Sequence, residues 1–159
     1  MATDPAISIR EARPGDAEPI ARFNEAMALE TERLRLDPAT IRAGVRAVLD
    51  DPARGRYFVA EEAGRVVGAL MTTYEWSDWR NGTFLWIQSV YVEPAHRRRG
   101  VFTALYRRVE EMARSPGYCG LRLYMEAENH GARKTYEALG MTHRSYLVFE
   151  TRDRLRGGS

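Results

Sequence analysis

The sequence predicts an α/β protein built on one mixed sheet, and three observations support this fold class. The predicted elements follow the order β-α-α-β-β-β-α-β-α-β along the chain. Two strands at 57–61 and 65–74 are separated by a short turn ending in glycine, which predicts an antiparallel hairpin. The strand 83–92, the helix 100–114 and the strand 121–126 form a βαβ unit. Its strands are expected to pair in parallel with a right-handed crossover.

The N-terminal elements follow from alternation and from capping residues. The alternating residues 7–10 predict the first strand. Asp16 closes a Pro-Gly-Asp turn and is the expected N-cap of a helix that runs to about Leu34. A second helix is capped by Asp37 and ends at the Asp-Pro pair 51–52. One face of this helix is apolar, so we expect it to pack on the sheet.

The later elements are read in the same way. Residues 75–82 are polar and aromatic and predict a loop before the central strand. A helix at 129–139 is closed by Gly140, since glycine favours the left-handed conformation that ends helices. An alternating run at 145–151 predicts a final strand.

Length and composition limit the class of protein. The chain has 159 residues, which fits one domain over 1–155 with a loose tail at 156–159. Hydrophobic residues make up 44% and charged residues 29%, typical of a soluble protein. We expect no membrane partner and a cytoplasmic location, because no apolar run approaches the roughly 20 residues that span a bilayer and no secretory signal is recognisable. A net charge of +2 argues against general nucleic-acid binding.

The sequence also argues against a metal site. Cys119 is the single cysteine, which excludes an intrachain disulfide. The three histidines, His96, His130 and His143, are scattered and do not form a ligand pattern. His96 is expected to be an exposed turn residue.

Residues 90–106 are the most informative segment of the chain. A strand runs into a proline turn, three arginines and a glycine, and a helix then begins. The start of a helix presents unpaired amides and a partial positive charge, and arginines add donors for phosphate oxygens. This arrangement predicts a pyrophosphate site. It lacks the Gly-Lys-Ser/Thr ending of a P-loop, which disfavours an ordinary nucleotide binder.

Two motifs in this order resemble the GNAT superfamily of N-acetyltransferases. The first is the strand–loop–helix signature Gln/Arg-x-x-Gly-x-Gly/Ala, supplied here by Arg97-Arg98-Arg99-Gly100-Val101-Phe102 with Phe102 in place of the small residue. The second is an Asn-Ala-Tyr-Gly spacing in a late helix, formed by Asn129, Ala132, Tyr136 and Gly140. Together the motifs and element order cover nearly the entire chain, and they imply the acyl-CoA N-acyltransferase fold with splayed central parallel strands.

The layout is most similar to the spermidine/spermine and thialysine acetyltransferase branch. The similar segments are 28–32 in the first helical region, the loop around Trp79, and 56–61. Diamine acetyltransferases of that branch carry an acidic residue in the strand before the arginine loop. Gln88 stands at the corresponding position here.

The resemblance implies a binding site for acetyl-CoA. The parallel strands would separate beyond 90–92 and expose backbone groups to the pantetheine arm, while the arginine loop would hold the pyrophosphate. The residues expected to bind the cosubstrate are Val90, Tyr91, Val92, Arg97, Arg98, Arg99, Gly100, Val101, Phe102, Thr103, Asn129, Ala132 and Tyr136. Asn129, Ala132 and Tyr136 would share one helix face, because they stand at i, i+3 and i+7.

Acetyl transfer also needs an acid for the departing thiolate and a base for the amine. Tyr136 is the expected acid, since a phenol stays protonated at neutral pH. Glu75 is the expected base, although Asp78, Glu30, Glu32 and Glu126 remain open as alternatives. The residues expected to bind the acceptor are Glu30, Trp76, Asp78, Trp79 and Gln88.

The resemblance therefore implies direct acetyl transfer from acetyl-CoA to a primary amine of a small molecule, such as an amino acid or a diamine. Two alternatives stay open: acetylation of a protein or peptide amine, and a CoA-binding sensor without catalysis. The resemblance also implies a possible homodimer, formed through residues 146–149 or through the helical region.

Overall fold

A computed structural model describes residues 6–151. The chain divides after Tyr124 into two compact units. The first unit contains β1 (Ser8–Glu11), α1 (Ala17–Glu32), α2 (Pro38–Asp50), β2 (Arg56–Glu62), β3 (Arg65–Ser77), β4 (Gly82–Val92), α3 (Val101–Ala113) and β5 (Tyr118–Leu123). Single 3-10 turns lie at Pro14–Asp16 and Pro94–His96. The second unit contains α4 (His130–Ala138).

The first unit is organised by a five-stranded sheet in the order β1-β2-β3-β4-β5. Neighbouring strands are antiparallel from β1 to β4, and β4 pairs with β5 in parallel. The β2–β3 hairpin closes through Ala63 and Gly64, whose φ angles are 48° and 77°. Positive φ at both central residues is the geometry that fits the twist of a hairpin. The predicted mixed sheet, hairpin and parallel pair are all confirmed.

Helices cover both faces of this sheet. The helices α1 and α2 pack on one face, and their buried residues form a cluster with those of β2, β3 and β4: Ile20, Ala21, Phe23, Val45, Tyr57, Val59, Ala69 and Tyr91. Helix α3 packs on the other face, where a Cγ atom of Val101 lies 3.3 Å from the position that a Cβ on Gly68 would take. Gly68 and Ala69 point to opposite faces because successive residues of a strand alternate.

The N-terminal ends of the helices were predicted with mixed success. Asp37 caps α2, since its carboxylate accepts a hydrogen bond from the Thr40 amide at 2.9 Å. Asp16 precedes α1 as predicted, but its side chain does not cap the helix. It accepts two hydrogen bonds from Arg10 at 2.7 and 3.0 Å and one from the Arg13 amide. A partner on β1 therefore replaces the expected local cap.

Two strand boundaries differ from the prediction. Glu75 was expected in a loop, whereas β3 continues through it to Ser77 because this stretch pairs with the start of β4. The strand β5 begins at Tyr118 and ends at Leu123, where its pairing with β4 also ends. Glu126 therefore lies outside the strand in which it was expected.

The second unit contains one regular element. Helix α4 is capped by Asn129, whose Oδ1 accepts a hydrogen bond from the Ala132 amide at 3.0 Å, and Gly140 follows the helix with a φ of 88°. Both ends are as predicted. The predicted strand at 145–151 is wrong: residues 141–151 form no strand, and Phe149 is 91% exposed. A strand exists only by pairing, and no described residue pairs with this run.

The sequence predictions at the very end of the chain, the domain limit at 155 and the tail 156–159, fall outside the described residues. None of the helices within residues 6–151 is both long and apolar enough to cross a membrane. Within the same residues, no group of three or more His, Cys, Asp or Glu side chains is placed to hold a metal ion.

Candidate active site

The loop before α3 has the geometry of an anion site. Arg98 and Gly100 both adopt positive φ angles, 63° and 78°. Within the described part of the chain, the amides of Gly100, Val101 and Thr103 have no protein acceptor. A Cβ added at Gly100 would meet no heavy atom within 4 Å, so the space over the loop is open. Backbone amides that converge at a helix start bind phosphate groups, and this loop therefore fits the predicted diphosphate.

Two of the three arginines hold the loop in place. Arg97 donates through Nη2 to Oε2 of Glu30 at 2.9 Å and through Nε to the Val92 carbonyl at 2.9 Å. Arg99 donates through Nη2 to Oε1 of Glu62 at 2.7 Å. No ion pair involves Arg98 among the described residues. The guanidinium of Arg98 is therefore the one available for a phosphate without breaking an ion pair.

Glu30, which was expected to bind the amine, contacts the arginine loop. Its carboxylate accepts a hydrogen bond from the Tyr91 hydroxyl at 3.0 Å as well as the one from Arg97. The hydrogen bond from Arg97 is the main reason that the pKa of Glu30 lies below its ordinary value. Glu30 therefore connects the end of α1 to the loop.

His96 was expected at the surface, and this prediction is wrong. The residue is only 6% exposed, and its Nε2 lies 2.7 Å from Oε2 of Glu62. Arg99 first, and His96 second, hold the pKa of Glu62 below its ordinary value. Glu62, the partner of His96, lies at the end of β2 and 34 residues away along the chain, so no local sequence pattern predicts the contact.

The strand β4 opens beside this loop. Its pairing with β5 ends at Ile87 and Leu123, although β4 continues to Val92. Ser89 has a φ of 51°, and the register with β3 shifts between Ala69 and Met71, which marks a bulge. A positive φ at a non-glycine residue costs on the order of 1–3 kcal/mol and is concentrated at functional sites. The strands thus separate before Val90, not beyond it, because the bulge interrupts β4.

This opening offers backbone groups of β4, and not the side chain of Tyr91, to a bound molecule. The side chain of Tyr91 is buried under α1, with its ring stacked on Phe23 at 5.2 Å between centroids. The β5-facing edge of residues 88–92 has no strand partner in the described structure. Free backbone groups on this edge fit the pantetheine contacts that the sequence resemblance implies.

Next to the opening, part of one sheet face is not covered by α1 and α2. We call it the platform, and it consists of Thr73, Glu75, Phe84, Trp86, Gln88 and Arg122. These side chains share a face because directly paired residues point to the same side of a sheet. Met71 marks the boundary, since it still packs against the helical core. Gln88 donates a hydrogen bond from Nε2 to Oγ1 of Thr73 at 2.6 Å.

Arg122 and Glu75 form the charged centre of the platform. The Nη1 of Arg122 donates to Oε1 of Glu75 at 2.5 Å, and the guanidinium lies 3.7 Å from the centroid of the Phe84 ring. Phe84 can pack this closely against β5 only because residue 120 is glycine: a Cβ there would approach the ring to 2.8 Å. The expected base is therefore placed on the platform and is already paired with a cation.

The tryptophans do not flank Glu75 as expected. Trp76 follows Glu75 within β3 and so points to the opposite face of the sheet. Trp79 lies in the β3–β4 turn and is 91% exposed, and Asp78 accepts a hydrogen bond from the Trp79 amide at 2.9 Å. These three residues lie outside the platform, and only Glu75 and Gln88 of the expected acceptor-side residues lie on it.

The second unit carries the remaining motif residues. Asn129 uses its Oδ1 to cap α4, as described above, and Ala132 provides the amide. Tyr136 lies on the same helix and is half-buried. Burial raises the pKa of its phenol, so the hydroxyl stays protonated well above neutral pH.

Sequence reasoning missed four residues that shape the site: Thr73, Ser89, Gly120 and Arg122. Thr73 and Arg122 are polar side chains inside otherwise apolar strands, a signal that was available. The bulge at Ser89 and the close approach at Gly120 depend on neighbouring strands. No local sequence pattern predicts this bulge or this close approach.

The fold and the site define a class of protein. A central strand diverges from its parallel neighbour, a helix start beside it fits a diphosphate, and an open platform adjoins the gap. A site at the carboxyl end of a parallel strand and beside a helix start suits a ligand that carries a diphosphate.

Comparisons with known proteins identify that class. The chain matches the acetyltransferase (GNAT) family over residues 21–141. It is 28% identical over 149 residues to thialysine N-epsilon-acetyltransferase of Bos taurus, covering 84% of this chain and 83% of that protein. It is 46% identical to a possible acetyltransferase from Clostridium difficile 630, with a TM-score of 0.86 over 92% of this chain and 97% of that chain.

A more distant structure shares the fold. An aminoglycoside N-acetyltransferase solved in complex with CoA is 17% identical, with a TM-score of 0.77 over 96% of this chain and 99% of that chain. The protein belongs to the GNAT family and is an acetyl-CoA-dependent N-acetyltransferase.

Proposed function

We propose that this enzyme transfers the acetyl group of acetyl-CoA directly to a primary amine of a small molecule. The observation that carries the proposal is the start of α3, where the open amides of Gly100, Val101 and Thr103 adjoin the unpaired edge of β4. A diphosphate at this helix start would place the rest of the carrier along that edge, toward the platform.

The reaction requires three proton movements. The ammonium form of the acceptor first loses a proton to a base. A bond then forms between the amine nitrogen and the acetyl carbonyl carbon, and the bond from that carbon to sulfur breaks. The nitrogen loses a second proton as it becomes an amide, and the departing thiolate gains one from an acid. For an ordinary primary amine at neutral pH, deprotonation costs on the order of 4–5 kcal/mol, so a base near the platform is needed.

We assign the acid to Tyr136 and the base to Glu75. The raised pKa of Tyr136 keeps its proton available for a thiolate. Among the candidate carboxylates, Glu30 is bound to Arg97 and Tyr91, and Asp78 is bound to a turn amide. Glu75 is also bound to an arginine, Arg122, through Oε1, but it is the candidate that lies on the platform, where its second carboxylate oxygen can receive a proton directly or through water.

Two features favour a small acceptor over a protein. The platform is a short strip beside the opening of β4, in which Phe84 is buried and the other five side chains are half-buried, and a strip of this size suits a small molecule. The name of the Bos taurus relative indicates that it acetylates thialysine, a small amine. Acetylation of a protein or peptide amine is the alternative within the same chemistry.

A thiol-release assay with a panel of amino acids, diamines and peptides tests the proposal. Release of CoA above the background rate with a small amine is the expected result. Release with peptides alone would support the alternative. Binding of CoA without release for any amine would show a sensor and overturn the catalytic proposal.

The cytoplasmic location and the homodimer are part of the same proposal. Residues 146–149 support the homodimer, since Leu147 is 80% exposed and Phe149 is 91% exposed. Exposed apolar runs of this kind often mark interfaces. Light scattering of the purified protein tests the dimer, and a monomer mass would contradict it.

A further inference from the structure

Arg122 uses only part of its hydrogen-bonding capacity within the described structure. Its Nη1 binds Glu75, whereas Nε and Nη2 bind no protein acceptor. These two nitrogens form the side-on edge of the guanidinium, the edge that pairs with both oxygens of a carboxylate. The side chain is 28% exposed, so a ligand on the platform can reach it.

The support beneath Arg122 fixes its orientation. The guanidinium lies at 3.7 Å over the Phe84 ring, and Gly120 lets that ring pack closely against β5. Stacking on an aromatic face restrains the guanidinium plane, which reduces the conformational entropy lost when a ligand binds. A mobile surface arginine has no such support. Arg122 is thus preorganised as a recognition element.

The charges on the platform do not suit a diamine. A diamine brings two positive charges, and the platform offers the single carboxylate of Glu75, already neutralised by Arg122. Gln88 and Thr73 are neutral and satisfy each other through the 2.6 Å hydrogen bond. An acceptor with one amine to be acetylated and one carboxylate would instead place opposite charges against Glu75 and Arg122.

We propose that the acceptor is an amine that also carries a carboxylate, an amino-acid-type molecule, and that Arg122 binds this carboxylate through Nε and Nη2. The inference rests on the proposed function and names its substrate class. Arg122 thereby becomes the residue that discriminates amino acids from diamines. Glu75, on the other side of the pair, faces the amine.

A matched pair of substrates tests the proposal. L-lysine and 1,5-diaminopentane have the same chain and differ by one carboxylate. The wild-type enzyme is expected to show a kcat/KM at least about 10-fold higher for L-lysine, because hydrogen bonds between charged groups contribute this much or more.

The variant Arg122→Gln removes the cation and leaves Glu75 unpaired. We expect KM for L-lysine to rise about 10- to 100-fold, while KM for 1,5-diaminopentane falls, so that the preference inverts. KM for acetyl-CoA is expected to change little. Arg122→Lys keeps the charge but loses the planar fork, and it is expected to give an intermediate preference and to keep the fold.

Arg108→Gln is the matched control. Arg108 also stacks on a phenylalanine, with 5.3 Å between its guanidinium carbon and the Phe58 ring centroid, but it lies on α3 and away from the platform. In Arg108→Gln, the ratio of kcat/KM for L-lysine to kcat/KM for 1,5-diaminopentane should equal the wild-type ratio. Equal kcat/KM of the wild type for both amines, or equal losses for both in Arg122→Gln and Arg122→Lys, would overturn the inference. No thiol release with any amine would instead refute the proposed function.

Discussion

Arg97 donates a hydrogen bond to Glu30 across 2.9 Å and 67 residues of sequence, which fixes the loop before α3 to the end of α1. Both side chains are more than 40% exposed, so the pair contributes at most about 1 kcal/mol to stability. The main consequence of the pair is electrostatic. The carboxylate of Glu30 lies beside the proposed diphosphate site, and it binds Arg97, which could otherwise bind a phosphate.

Replacing Glu30 by Gln should therefore tighten CoA binding. Loss of the negative charge and release of Arg97 are expected to lower the Kd for CoA about 2- to 5-fold, the range of an exposed ion pair. Isothermal titration calorimetry at low ionic strength measures the effect, which salt should reduce. Glu32→Gln, at the neighbouring end of α1, serves as the control. A weaker affinity for CoA in Glu30→Gln would mean that Glu30 stabilises the loop more than it competes with the diphosphate for Arg97.

Gly100→Ala tests the backbone conformation of the anion loop. The φ of 78° is strained for alanine by about 1–2 kcal/mol, so relaxation should move the amides away from the phosphates. We expect Tm to fall by about 2–8 °C and CoA affinity to fall about 10-fold. Gly44→Ala in α2, also in open space, should keep or raise Tm because alanine favours helix. Unchanged affinity in Gly100→Ala would exclude this loop as the seat of the diphosphate.

Tyr136→Phe tests the general acid. Turnover should fall about 100-fold or more while CoA affinity stays the same, because only the proton donor is lost. Burial raises the pKa of Tyr136, so its proton is present throughout pH 7–9 and the wild-type rate should not decline there through this group. Tyr146→Phe, at a residue 78% exposed in the same unit, is the control. Equal turnover in Tyr136→Phe and wild type would remove Tyr136 from the mechanism.

Asp16→Asn tests a buried ion pair that connects β1 to the start of α1. Burial opposes ionisation of Asp16, but the hydrogen bonds from Arg10 and the Arg13 amide outweigh it and hold its pKa below the ordinary value. Loss of the charge leaves Arg10 with Glu61 alone and should cost about 2–3 kcal/mol, or roughly 4–12 °C in Tm. Asp50→Asn at the end of α2 should change Tm by less than about 2 °C.

The same pair predicts a pH dependence of stability. Because the folded-state pKa of Asp16 is lowered, its contribution is fully present above the unfolded pKa of about 4 and is lost as pH falls through the folded value. Tm measured from pH 6 to pH 2 should therefore drop more steeply in the wild type than in Asp16→Asn. Equal slopes of Tm against pH in the two proteins would contradict a lowered pKa of Asp16 in the folded state.

The sequence was sufficient for elements that depend on local chemistry. Asp37 caps α2, the turn at 63–64 closes a hairpin and Gly140 ends α4, each as predicted from residue type and position. These features follow from backbone preferences within a few residues. The helix start after Gly100 was also predicted from local residue types, and its motif is one of the two that resemble the GNAT family.

The acceptor side of the site was less predictable, because its contacts join distant residues. Arg122 meets Glu75 across 47 residues, and His96 meets Glu62 across 34. Glu75 was expected in a loop because the residues around it are polar, although β3 continues through Glu75. The strand predicted at 145–151 has the right alternation, but a strand also needs a neighbour to pair with.

The amides at the start of α3 are proposed to bind the diphosphate of CoA, and the rest of the site is built on that contact. Calorimetric titration with CoA and with pantetheine, which lacks the diphosphate and the adenosine 3′-phosphate attached to it, tests this binding most directly. We expect CoA to bind at least about 100-fold more tightly than pantetheine, and we expect Gly100→Ala to reduce this difference in affinity. Equal affinities for the two ligands would contradict it.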